Sequence, residues 1–225
     1  MQLFNKKAIK KTLYHTWYIY PITMCLSTLL LMWGFQAYHQ PSAHQKLTLF
    51  FATDIKDESF VGKILEKYDR EKLREISPYY SLPSSSGYYT KLKLYMTEGD
   101  VLVLDEKTLD EFKGYHSSLF TEFDSETKEK YVPAGSTYYT YEEKDYAVLL
   151  KKKGENHYLQ SYMDFDEEKD YYITFSPASV NTGKMYNEDN AYYDNALTFM
   201  NYLLLGNLWG KKRLEKLIIP KLKDL

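Results

Sequence analysis

Residues 88–105 read YYTKLKLYMTEGDVLVLD. The first half of this stretch fits two patterns. Leu92, Leu94 and Met96 alternate as on a strand, whereas Tyr89, Leu92, Tyr95 and Met96 share one helical face. The second half decides between them. Val101–Leu104 is an unbroken apolar run, as in a strand buried on both faces, and Gly99 just before it suits the end of a helix. Residues 88–98 are therefore a helix that leads directly into a strand.

The same alternation extends in both directions. Asp105 opens a helix through EKTLDEF that carries Thr108, Leu109 and Phe112 and ends at Gly114. Upstream, LTLFFAT at 47–53 is another doubly buried strand, after which Asp54 or Asp57 can cap a helix. Phe60, Ile64, Leu65, Tyr68, Leu73 and Ile76 recur at helical spacing until Ser77-Pro78 stops them. A short apolar stretch around Ile76–Leu82 follows. Residues 47–113 thus predict β-α-β-α-β-α, an α/β class with one open, mostly parallel sheet.

The rest of the domain is less regular. Residues 115–131 read as a helical or looped crossover. Tyr138–Tyr141 and Tyr146–Leu150 read as strands about a turn at 142–145, and LKKKGEN at 150–156 as a solvated basic tip. Tyr171–Phe175 is a further strand, and a helix from about Asn190 to Leu205 carries Tyr193, Leu197, Met200 and Leu204. The tail GKKRLEKLIIPKLKDL is basic and amphipathic up to Pro220; packing of Leu214, Leu217 and Ile218 on the body is its expected use, with the bilayer surface as the alternative.

Ahead of the domain, residues 17–38 read WYIYPITMCLSTLLLMWGFQAY, without a charge and long enough to cross about 30 Å of hydrocarbon as a helix. Lys6, Lys7, Lys10 and Lys11 precede it, which places the N-terminus in the cytoplasm and the rest outside the cell membrane. A cleaved signal would need a shorter core and a small-x-small site, and a lipoprotein signal would end near Cys25. The expected organisation is a basic cytoplasmic segment at 1–16, a single-pass signal-anchor at 17–38 and a polar linker at 39–45. An extracytoplasmic α/β domain then occupies 46–225, held near the outer leaflet.

Composition narrows the function. The 225 residues include 24 Tyr, with only 10 Gly and 7 Pro, which argues against disorder. Residues 46–205 carry a net charge of −10, so nucleic acid is an unsuitable partner. Cys25 is the only cysteine, which excludes a disulfide framework and a cysteine metal site.

No phosphate loop, nucleophile elbow or H-E-x-x-H helix occurs, and Ser117 and Ser118 beside His116 do not make a nucleophile–base pair. The acidic run DFDEEKD at 164–170 fails the EF-hand pattern, with Lys169 where Gly belongs and Phe175 where Glu belongs. It reads as a solvated turn, and no metal or cofactor is expected. Two polar loops are the candidate ligand sites. Ser84, Ser85, Ser86 and Gly87 precede a helix, where N–H groups and hydroxyls can hold an anion. Ser176, Ser179, Asn181 and Thr182 follow a strand, where open α/β sheets place ligands. The abundant tyrosines can line a sugar or peptide groove.

KLTLFFAT, GDVLVLDEKTLDEF and YYITFSP with DNALTFMNYLL together resemble the first lobe of bacterial extracellular solute-binding proteins of ABC importers. The resemblance implies a lobe of that fold. It covers about half of residues 46–205 and is most specific over 98–113. Such proteins have two lobes and about twice this length, so here it implies a reduced, single-lobe relative. The expected role is non-catalytic: an accessory or recognition domain beside a transporter or another membrane complex. Direct binding of a small sugar or peptide is the alternative, and a cell-envelope hydrolase comes third.

Overall fold

The computed structural model describes residue 14 and residues 16–65, 73–182 and 193–206. The four N-terminal lysines, Tyr68, Gly183, the start of the helix expected from Asn190 and the basic tail beyond Gly206 lie outside the described residues. The chain forms two compact units, one within residues 1–41 and one from residue 42 onward.

The first unit is α1, Ile19–His39, whose 21 residues span about 31 Å at ~1.5 Å each. By length and composition it can cross a membrane. Its large apolar side chains, Leu29, Leu30, Leu31 and Trp33 among them, are exposed. Thr23, Ser27 and Thr28 donate their hydroxyls back to carbonyls of Ile19 and Met24. Their hydrogen-bonding capacity is thus met inside the helix, as an apolar solvent requires. Pro21 stands in the first turn, where no intrahelical N–H is lost.

The second unit is built on a six-stranded sheet. Its strands are β1 (Lys46–Phe51), β3 (Glu75–Tyr80), β4 (Val101–Asp105), β5 (Tyr138–Tyr141), β6 (Lys144–Lys151) and β8 (Tyr171–Phe175), in the order β3-β1-β4-β8-β6-β5. Two short strands, β2 (Asp54–Ile55) and β7 (Met163–Asp164), pair separately. The helices are α2 (Ser59–Leu65), α3 (Tyr88–Glu98), α4 (Glu106–Glu111), α5 (His116–Leu119), α6 (Ser125–Tyr131) and α7 (Asn195–Leu205). Residues 88–98 are the expected helix, and Val101–Asp105 is buried throughout.

The sheet is mixed instead of mostly parallel. β3, β1 and β4 run parallel, but β8 lies antiparallel to both β4 and β6, and β5 antiparallel to β6. The β5–β6 hairpin, closed by Glu142 and Glu143 at positive φ, brings β6 into the direction of β4. The connection at 152–170 then reverses the chain once more, so β8 runs against both β6 and β4.

Ile76 fits both the end of the first helix and the start of the apolar stretch that follows, and the structure decides for the second. It pairs with Leu47 as part of β3, and Pro78 pairs with Leu49 in the same strand. Proline is admitted because β3 is an edge strand. Ser81 donates its N–H to Phe51. Counting back in twos, the N–H groups of Tyr79 and Ser77 face β1, and the missing one of Pro78 faces away.

Side chains alternate between two apolar layers. Leu47, Leu49, Phe51, Val101, Val103 and Ile173 pack with Phe60 of α2 and Leu197, Phe199, Met200 and Leu203 of α7. Phe50, Leu102, Leu104 and Tyr172 pack with Tyr88, Leu92 and Met96 of α3 and Leu109 of α4. Many tyrosines belong to these layers: Tyr88, Tyr139, Tyr146, Tyr171 and Tyr172 are buried.

The basic tip and the acidic run are joined at the surface by the Lys153–Glu168 ion pair and in the interior by Lys151. Lys151 is buried, and its ammonium donates to the carbonyls of Asp166 (2.9 Å) and Lys169 (3.2 Å). The run at 164–170 is therefore a loop closed over an internal cation, with Phe165 buried beneath it.

Candidate functional site

Asp100 is the residue from which the candidate site is built. It lies between the end of α3 and the start of β4, with Gly99 ahead of it because a side chain there would strike the Tyr95 carbonyl. Its carboxylate accepts from the Thr48 N–H (2.7 Å), the Ser179 hydroxyl and the Asn181 amide (3.0 Å). Asn181 also donates to the Lys46 carbonyl (3.0 Å), and Asn195 donates to the His44 carbonyl (2.7 Å). The hydroxyl of Ser176 reaches the carbonyl of Met96 at 2.6 Å. Residues 43–45, read as linker, form a 3₁₀ turn here, and the His44 ring stacks on Tyr193 at 3.9 Å. The lead-in to β1, the end of α3, the loop after β8 and the start of α7 are thus tied together by buried side chains.

Three neutral donors surround Asp100, and among the described residues no Lys, Arg or His forms an ion pair with it. Burial pushes its carboxyl above the usual carboxylate range, against the hydrogen bonds from Ser179, Thr48 and Asn181. A pocket of about 260 Å³ opens beside it. The lining comes from Ala43, Lys46 and Thr48, from residues 97–100 and from residues 178–180.

The two loops singled out in the sequence lie apart. Ser81 follows β3 and bonds to Phe51, which puts residues 84–87 at the carboxyl ends of β1 and β3. Ser84, Ser85, Ser86 and Gly87 are exposed, and Ser85 turns its hydroxyl to the Leu82 carbonyl and to Ser81. Ser176, Ser179, Asn181 and Thr182 are buried at the other end of the sheet, because antiparallel β8 ends beside the start of β4. Helix α3 separates the two loops by its full length, roughly 16 Å. They do not converge on one ligand.

The described histidines of this unit are engaged in packing. His116 is buried among Phe120, Tyr139, Tyr141 and Tyr146, and its Nε2 lies 3.1 Å from the Leu109 carbonyl. Ser117 and Ser118 beside it are exposed. His157 caps a short turn by accepting from the Leu159 N–H, and burial pushes its pKa down to about 4. Among the described residues no group of three or more His, Cys, Asp or Glu is placed to hold a metal ion.

No family model, curated protein or solved structure matches this chain. The site rests on its own chemistry. Asp100, Lys46 and Thr48 were not singled out in the sequence, where Asp100 reads as the lead into a strand. The one available signal was a carboxylate directly abutting a doubly buried strand.

Proposed function

We propose that this chain is a single-pass membrane protein whose α/β unit, from residue 42 onward, works outside the cytoplasm. Its role there is that of a non-catalytic accessory or recognition subunit of a transporter or another membrane complex. The observation that carries this is α1, a helix of membrane-spanning length whose apolar side chains are exposed along its length. Such a surface is stable in hydrocarbon and costly in water. The lysine-rich flank before it supports a cytoplasmic N-terminus. The likeness of residues 98–113 to a solute-binding lobe supports a place beside a transporter, and the engagement of His116 and His157 in packing supports a non-catalytic role.

Cysteine labelling tests the topology. In a Cys25→Ser, Ser86→Cys chain, a membrane-impermeant maleimide should label intact cells. Labelling that appears only after permeabilisation contradicts the arrangement. Solubilised in mild detergent, the full chain should co-purify with a membrane protein in fixed stoichiometry, and a chain that runs alone sinks the partner assignment.

The pocket beside Ser179 favours a second reading, in which the unit itself holds a small ligand. At about 260 Å³ it lies just under the ordinary range of about 300–1,000 Å³ for small-molecule sites. The ligand is correspondingly small.

A further inference from the structure

We propose that the pocket at the start of β1 and β4 binds a small ligand bearing a cationic nitrogen, an alkylammonium group that settles against the Asp100 carboxylate. The inference rests on the second reading above, that this pocket serves a small ligand, and it assigns the ligand's class.

The first ground is charge balance. Asp100 is 8% exposed and lines the pocket, yet its three partners are neutral. A buried carboxylate is expensive unless a cation compensates it. The protein supplies such compensation elsewhere: at the far end of the same strand, Asp105 faces the Lys169 ammonium at 2.8 Å. At Asp100 no cation among the described residues takes that position. Among the described residues one oxygen accepts from Ser179 and Asn181 and the other from Thr48 alone, which leaves acceptor capacity on the second oxygen.

The second ground is the remaining lining. Glu98 adds a second carboxylate at the rim. Lys46 is the one cation of the lining among the described residues, and its ammonium is engaged by Glu75 at 3.1 Å. The lining is therefore net acidic, which selects against anions and favours cations. Ala43, Ala178 and Val180 supply an apolar wall for a short alkyl chain. Burial also holds the Asp100 carboxyl above its ordinary range, a shift that an incoming cation would reverse.

The test uses the full chain in detergent or nanodiscs, with n-propylammonium as probe and n-propanol and propionate as neutral and anionic controls at matched ionic strength. Propylammonium at tens of millimolar should raise the unfolding midpoint and show ligand-observed saturation transfer, and neither control should. Ala178→Phe fills the mouth of the pocket from an exposed position without touching the Asp100 bonds, and should weaken binding at least tenfold. Asp100→Asn should remove the preference for the cation over propanol.

Each remaining outcome overturns the proposal. A response to propanol equal to that of propylammonium leaves the pocket as a small-ligand site but removes the cation assignment. No response to any probe removes both the assignment and the reading beneath it. A propylammonium response that persists unchanged in Ala178→Phe places binding elsewhere.

Discussion

β4 carries an aspartate at each end, and the two are opposites. Asp105, at the carboxyl end, caps α4 through the Thr108 N–H at 3.0 Å and meets the Lys169 ammonium at 2.8 Å. Burial works against its charged form, but these partners outweigh it and hold the carboxyl below the usual range. Asp100, just ahead of the strand, is buried with only neutral donors among the described residues, and its carboxyl is held above that range. One strand thus ends in a completed ion pair and begins with an unmatched charge. Hydrogen bonding alone serves to fasten loops, as Asp105 and Asp100 both do. The absence of a cation among the described residues is what sets the Asp100 end apart.

The comparison breaks most readily at Asp100. Asp100→Ala leaves the Thr48 N–H, the Ser179 hydroxyl and the Asn181 amide without their acceptor, at a cost of about 3 kcal/mol. A urea midpoint at neutral pH measures it, and a loss below about 1 kcal/mol would show that the junction does not hold the fold.

Asp105→Asn should cost somewhat less, about 2 kcal/mol, because Lys169 is partly exposed and the amide oxygen can still cap α4. Its signature is pH dependence. A carboxyl whose folded pKa lies below its ordinary value near 3.8 stabilises the fold above that value, and the benefit is lost as pH falls through the folded pKa. The advantage of the native chain over Asp105→Asn should therefore shrink on acidification below pH 3.8. For Asp100 the sign reverses. Its cost is absent below 3.8, grows as pH rises through the raised folded value and is complete above it. Stability differences against Asp100→Asn should fall with rising pH in that window.

The smallest effect belongs to the other candidate loop. Ser85→Ala removes bonds to Leu82 and Ser81 at an exposed turn and should cost under about 1 kcal/mol. A loss as large as that of Asp100→Ala would sharpen attention on the carboxyl end of the sheet instead.

Much of the fold was legible from local pattern. Gly99 before an unbroken Val101–Leu104 run forced a helix-to-strand transition, and Asp105 with Thr108 spelled out a helix start three residues apart. Ile76 reads two ways, as the last residue at helical spacing and as the first of the apolar stretch 76–82, and it belongs to the strand. The edge position of β3 is what lets that strand carry Pro78. The direction of β8 had no local signal, since YYITF is buried on both faces and reads alike either way. That direction moved the Ser176–Thr182 loop to the opposite end of the sheet from Ser84–Gly87. Asp100 could not be found by pattern because Ser179 and Asn181 lie 79 and 81 residues away in the chain.

Site-specific carboxyl titration by ¹³C NMR tests the contrast most directly, with Asp100 and Asp105 observed in the same full-length protein. Asp105 should titrate below 3.8 and Asp100 above it, and n-propylammonium should lower the Asp100 value while leaving Asp105 unmoved. Asp100 titrating at or below Asp105, or indifferent to the ammonium, would contradict an unmatched charge awaiting a cation.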